Sequence, residues 1–219
     1  MPVNILLAAV PSLILVRYFY RKDRRKPEPV GLVIRIFILG FFSVIPAVIL
    51  ELVLEATWPN FRGVALNLFR AFVVAALVEE SIKLGVVKLF VFNRREFDEV
   101  TDGIVYTITA SLGFAFFENI MYGFGEPMVI LIRAFTAVPL HAIASGIMGY
   151  YLGLSRFNDP SASGKGLLLA VLIHGFYDFF LFTGSFFSFL VLPLLVAAGI
   201  HLLRLYRRAL SDDEAAERS

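Results

Sequence analysis

Seven stretches of this chain stay apolar for long enough to cross a bilayer, and that repeated pattern leaves few folds open. They cover about residues 3–20, 30–56, 63–92, 101–122, 128–154, 166–182 and 186–205. A helix needs about 20 residues, at 1.5 Å each, to cross the hydrocarbon core, and each run reaches or approaches that length. In lipid every backbone N–H and C=O has to be paired, which favours helices over any open sheet. The composition agrees: 58% of the residues are hydrophobic and 23 are Phe, against about 45–50% apolar residues in a soluble domain. The expectation is an all-α, polytopic membrane helix bundle of about seven transmembrane helices.

Lys and Arg fall on alternate connections. Arg17, Arg21, Lys22, Arg24, Arg25 and Lys26 follow the first run, and Arg94 and Arg95 the third. Arg156 and Lys165 follow the fifth, and Arg204, Arg207, Arg208 and Arg218 the seventh, whereas the opposite connections hold only Arg62. The positive-inside rule then puts the N-terminus outside and the C-terminus in the cytoplasm of a multi-pass protein of the cell membrane. The first run has its basic block behind it and no small-residue cleavage site, so it reads as a retained anchor. Residues 1–205 form one transmembrane domain, and 206–219 a charged cytoplasmic tail expected to fray. Pro46 is expected to kink the second helix. Trp58-Pro59-Asn60 is a short loop with Trp58 at the interface, and Gly123 to Pro127 a turn. With no cysteine, disulfides, thiolate chemistry and Cys-ligated metals are excluded.

Against this background Glu79-Glu80-Ser81-Ile82-Lys83 stands out. On translocon scales a charge at the centre of a membrane helix costs roughly 2.5–3.5 kcal/mol. Two adjacent acids in such a place belong to a protected, wet cavity. Counting residues from each helix end puts His141 and His174 at the same depth, near the middle of their runs. Asp178, at i+4 from His174, shares its face and lies about 6 Å nearer the outside. Glu118 lies in the outer half of its helix with Arg133 as a candidate partner, and Lys83 lies one turn beyond the acidic pair. A desolvated carboxylate can act as a general base. Imidazoles can ligate a metal or steady an oxyanion. No HExxH pair is present, so a zincin is excluded.

Blander roles compete for each of these residues. A single membrane histidine is often no more than a hydrogen-bonded link between helices. A membrane carboxylate is also the ordinary proton or ion site of a transporter, although the chain has no internal repeat of the transporter kind. Ala137, Ser145 and Gly149 read as small residues that let helices approach. Asp98, Glu99 and Asp102 read as acids at the positive end of a helix dipole.

The polar motifs together resemble the PrsW family of intramembrane proteases, within the wider group of the CAAX prenyl endopeptidases. The matching pieces are Glu79-Glu80-x-x-Lys83, Asp102-Gly103-Ile104-Val105-Tyr106, Ser111-Leu112-Gly113-Phe114-Ala115 and Phe117-Glu118-Asn119. His141 with Gly146 and Gly149, and His174-Gly175-x-x-Asp178, follow in the family's order. Tyr18 to Asp23 and Glu28-Pro29 also look familiar, and the resemblance covers about residues 15–180. It implies proteolysis of a membrane-anchored protein, such as site-1 cleavage of an anti-sigma factor on the extracytoplasmic side. It also implies catalytic Glu79, Glu80, His141, His174 and Asp178, with Lys83 and Glu118 around them. Asp178 stands where the prenyl endopeptidases have Asn. An ionised Asp repels an oxyanion, so Asp178 has to be protonated, paired or a metal-side ligand, the last with a zinc ion on Glu80, His141 and His174. The partners expected are the substrate and the bilayer, with no nucleic acid. A CAAX-like prenyl endopeptidase and a proton-coupled or ion-coupled transporter are the alternatives.

Overall fold

The computed structural model describes residues 2–23, 26–57, 61–123 and 126–218. The loop assigned to Trp58-Pro59-Asn60, the interface place of Trp58 and the middle of the turn at 124–125 lie outside them. Among the described residues the chain is helical throughout, with no strand. The helices are α1 (Pro2–Lys22), α2 (Val30–Phe42), α3 (Val44–Thr57), α4 (Val64–Phe69), α5 (Val78–Phe90), α6 (Val100–Tyr122), α7 (Pro127–Phe135), α8 (Ala137–Phe157), α9 (Ala162–Thr183) and α10 (Val191–Glu217). A π-helical stretch, Arg70–Leu77, joins α4 to α5, and a 3₁₀ turn, Ser185–Leu190, precedes α10.

Among the described residues five stretches combine the length and apolarity needed to cross a membrane: Val30–Thr57, Val100–Tyr122, Pro127–Phe157, Ala162–Thr183 and Phe186–Glu217. The two other expected spans are also helical, and both carry charged residues. One carries Asn4, Arg17, Arg21 and Lys22; the other carries Arg70, Glu79, Glu80, Lys83 and Lys88.

Two of the long spans are broken, both by the same device. α2 ends at Phe42 and α3 restarts at Val44, just before Pro46; α7 ends at Phe135 and α8 restarts at Ala137, just before Pro139. Each helix stops at the residue four before a proline, whose carbonyl would collide with the ring and would find no N–H to accept. The kink expected at Pro46 therefore lies one turn upstream of it. The break before Pro139 escaped the sequence reading, which took 128–154 as one helix.

α6 is the central post. It packs against α8, α2, α1 and α10, and residues 100–115 are all buried. Its closest neighbour is α8, which it meets across glycines. A Cβ on Gly149 would lie 2.1 Å from Thr107 Oγ1 and 2.3 Å from the Gly103 carbonyl oxygen. The expected role of Gly149 in close helix packing is thus met. Around this core, Ile34, Ile38, Ile45, Ile49, Leu52, Val196 and Ile200 turn large apolar side chains outward, the surface a lipid-facing helix needs.

Beyond residue 205 the expectation of a frayed end fails. α10 runs on to Glu217, with Tyr206, Ala209 and Asp213 buried. Asp213 caps α6 from the far end of the sequence: Oδ1 accepts from Val100 N at 2.7 Å, and Oδ2 from Thr101 N at 3.1 Å and Thr101 Oγ1 at 2.6 Å. Asp102 Oδ2 accepts from the Asp98 and Glu99 amides, both at 2.7 Å, as one half of a capping box. The acids at this helix start thus satisfy amides that have no intrahelical partner.

Candidate active site

The acidic pair opens α5, directly after the π-helical stretch. A π turn rotates the residues that follow relative to an α-helical register, and such turns favour functional sites. Glu79 is 7% exposed; Glu80 and Lys83 are fully buried. α8 brings in His141 and α9 brings in His174, 2% and 3% exposed. The depth estimate from the sequence is met: the two acids and two imidazoles each offer a ligand atom, all within 4.8 Å of one another.

Lys83 holds the centre. Its Nζ donates to Glu79 Oε2 at 2.9 Å and Glu80 Oε1 at 2.8 Å, and lies 2.9 Å from His141 Nδ1. The Phe114 ring lies 4.3 Å from the same atom. Glu80 is held from three sides. Oε1 also faces His174 Nδ1 at 2.9 Å, and Oε2 accepts from Ser145 Oγ at 3.0 Å. Glu79, in contrast, is engaged through Oε2, which also lies 3.9 Å from His174 Nε2. The imidazoles stand edge to face, 5.3 Å between centroids.

Each imidazole is backed by a further carboxylate. His141 Nε2 lies 2.8 Å from Glu118 Oε2, and His174 Nε2 lies 3.3 Å from Asp178 Oδ2. Arg133 Nη2 closes on Glu118 Oε1 at 2.9 Å, its Nε donates to Asn119 Oδ1 at 2.8 Å, and its guanidinium covers the Tyr122 ring at 4.3 Å. The Glu118–Arg133 pairing expected from the sequence is therefore present.

This donor set suits a metal ion. An imidazole with one nitrogen toward the ion and the other on a carboxylate is the usual arrangement at a metal centre. Glu and His are zinc ligands. The Lys83 ammonium holds three of the same atoms, so ion and ammonium compete for them.

Three contributors have no site role in the sequence reading. Ser145, taken there as a packing residue, binds Glu80. Ser111 Oγ donates to the His141 carbonyl at 2.9 Å and fixes α6 to α8 beside the ring. Glu51 of α3 is half-buried, and the charges acting on it most strongly are Glu79, Glu118, Lys83 and His174. An acid within an apolar run marks Glu51 in the sequence just as it marks Glu79. The serines carry no such mark.

Residues 28–202 match the family model described as PrsW family intramembrane metalloprotease. The chain is similar to Protease PrsW of Bacillus subtilis, 39% identical over 191 residues that cover 85% of this chain and 86% of that protein. It is 40% identical to Protease PrsW of Geobacillus kaustophilus over 176 residues, 78% of this chain and 76% of that one. With Protease PrsW of Oceanobacillus iheyensis it shares 36% over 212 residues, 94% and 96% of the two chains. No solved structure matches. The match over most of its length shows that this multi-pass chain belongs to the PrsW family of intramembrane metalloproteases.

Proposed function

We propose that the chain is an endopeptidase that hydrolyses a membrane-anchored protein at the Glu79–Glu80–His141–His174 cluster. The observation that carries this reading is the meeting of these four side chains, from three helices, in one buried ionic centre. Glu79 is the general base, since one of its oxygens is left outside the network that saturates Glu80. It takes the proton of a water as that water attacks the peptide carbonyl carbon. It returns the proton to the amide nitrogen as the C–N bond breaks, leaving a carboxylic acid and an amine. Lys83 fixes both glutamates on one side of the reacting group, and Asp178 and Glu118 orient the two rings. Glu80, His141 and His174 would hold a zinc ion, which supplies Lewis acidity toward water and a carbonyl oxygen.

Residues 1–205 form the protease domain in this reading. Seven crossings follow from the lengths of the apolar runs, an outer N-terminus and a cytoplasmic 206–219 from the distribution of Lys and Arg, and the cytoplasmic membrane is the bilayer concerned. Glu118, Arg133 and Asp178 then lie in the outer half of the bundle. That placement favours cleavage near the extracytoplasmic surface, as in site-1 cleavage of an anti-sigma factor, over a prenyl endopeptidase entered from the cytoplasm.

The test is cleavage of a tagged single-span anti-sigma factor by purified enzyme in liposomes, with metal analysis alongside. Glu79→Gln, Glu80→Gln, His141→Ala and His174→Ala should each abolish cleavage while the protein stays folded. Full cleavage by all four, or ion flux without peptide-bond cleavage, would sink the proposal.

A further inference from the structure

A second group of carboxylates lies at the opposite end of α6. Asp23 and Glu28 come from the connection between α1 and α2, and Asp102 from the first turn of α6. Each offers an oxygen, and these oxygens lie within 4.8 Å of one another. All three side chains are buried: Asp23 is 2% exposed, Glu28 3% and Asp102 0%. Asp102 stands roughly 24 Å of helix before Glu118, at 1.5 Å per residue, so this group is separate from the protease cluster.

Three acids buried together need a counter-charge, and the described residues supply none. Lys26, next to this connection, is 44% exposed and lies 3.8 Å from Asp98, 3.7 Å from Glu99 and 3.6 Å from Glu217. It serves the outer acids, not the inner three. Tyr106 donates its hydroxyl to Glu28 Oε2, and the Asp98 and Glu99 amides take Asp102 Oδ2. Asp23 Oδ2, buried, has no hydrogen-bond partner, and beyond its two amides the Asp102 carboxyl faces only the Glu28 carboxyl. The hydroxyl of Tyr206, on α10 and 2% exposed, is buried without a partner as well. The charge acting on it most strongly is Asp23. Leaving such groups unpaired costs about 1–3 kcal/mol each, more for a charge, so unpaired polar atoms buried at this acid cluster mark a place for a ligand.

We propose that Asp23, Glu28 and Asp102 form a second cation site, one that takes an oxygen-preferring divalent ion such as Ca²⁺ or Mg²⁺. The ligands are all oxygens, which selects this class over zinc. At the usual 2.3–2.6 Å Ca²⁺–oxygen distance, ligands on opposite sides lie about 5 Å apart, so the carboxylates need little movement to close on the ion. Burial, followed by the neighbouring Asp102 charge, pushes the Asp23 carboxyl up to about 7. Burial also pushes Glu28 up to about 7. Bound there, the ion fastens the connection between α1 and α2 to the start of the helix that carries Glu118. This inference does not rest on the protease reading.

The experiment uses the full chain in detergent, stripped with chelator, in a His174→Ala background that disables the protease cluster. Tb³⁺ is titrated in and read by emission sensitised through Tyr106 and Tyr206, with Ca²⁺ and Mg²⁺ as competitors. Saturable emission, displaced by Ca²⁺ or Mg²⁺, is expected. Asp23→Asn should weaken it by about tenfold or more, in line with the loss of one carboxylate ligand. The result that overturns the proposal is no saturable emission, or emission that Asp23→Asn leaves unchanged. Should Asp23→Asn fail to fold, the unfolding temperature of the His174→Ala chain decides: a rise with millimolar Ca²⁺ or Mg²⁺ supports the site, and no rise with either rejects it.

Discussion

Lys83 Nζ lies 2.9 Å from His141 Nδ1. An ammonium has only protons to give, so Nδ1 must accept and the ring proton sits on Nε2, where it is donated to Glu118 Oε2 at 2.8 Å. One lysine thus sets the tautomer of a histidine on another helix. Its three protons meet three acceptors, Glu79, Glu80 and His141. Lys83→Met leaves two adjacent buried carboxylates without their cation. Removing one partner of a buried ion pair costs about 3–5 kcal/mol, so a loss of this size is expected in detergent unfolding, with cleavage abolished. Metal content per chain should not fall, because the ammonium and the ion compete for the same ligands. A variant that loses its metal together with Lys83 would contradict that competition.

Glu79 and Glu80 are neighbours with unequal duties. Glu79→Gln should remove general-base catalysis, about 10²–10⁴-fold in cleavage rate, while the unfolding midpoint moves little. Glu80→Gln should lose activity and also at least about 1–3 kcal/mol of stability, since Lys83, His174 and Ser145 all depend on its charge. Rate and stability measured on both variants separate the two roles. Equal stability losses would remove the distinction.

Ser145 donates its hydroxyl to Glu80 Oε2. Ser145→Ala keeps the close packing of α8 but leaves that oxygen buried and unpaired, at a cost of about 1–3 kcal/mol. Ser145→Thr keeps the hydroxyl and should lie between the two in stability. An unchanged midpoint for Ser145→Ala would show that this bond contributes nothing.

Gly149→Ala puts a methyl group 2.1 Å from Thr107 Oγ1 and 2.3 Å from a backbone oxygen of α6. Backbone cannot swing aside, so α6 and α8 must separate, at a cost of about 1–3 kcal/mol or more for overpacking. The separation also pulls His141, on α8, from Glu118, on α6, so cleavage should fall with stability. Gly164→Ala, where an added Cβ meets nothing within 4 Å, is the matched control and should be silent.

Asp213→Ala strips the distant cap from α6 and should cost about 0.5–2 kcal/mol, the usual range for a lost N-cap. Asp213→Asn retains an acceptor oxygen and should recover part of it. Truncation before residue 213 should match Asp213→Ala or exceed it, since Tyr206 and Ala209 lose neighbours as well. A truncated chain as stable as the intact one would show that the end of α10 merely lies against the bundle.

The bundle was legible in the sequence because its signal is local. Apolar runs of bilayer length appear without knowledge of any neighbour, and so do charges inside them. Helical period and depth placed Lys83 beside the acids, Asp178 beside His174 and Glu118 level with Arg133. Breaks at Phe42 and Phe135 follow from a local rule, the clash of a proline with the carbonyl four residues earlier, and only the one at Pro139 went unread. What the sequence left undecided needs partners far along the chain. Asp213 becomes the cap of a helix more than a hundred residues away only once α6 and α10 pack together, and Ser145 becomes a partner of Glu80 only once α5 and α8 do. The direction of a hydroxyl or a carboxylate carries no periodic mark. Composition and spacing determined which charges share a layer of the bundle. The tertiary structure alone decided that Lys83, and not either glutamate, stands at its centre, because three acceptors from two helices surround one ammonium only after those helices meet.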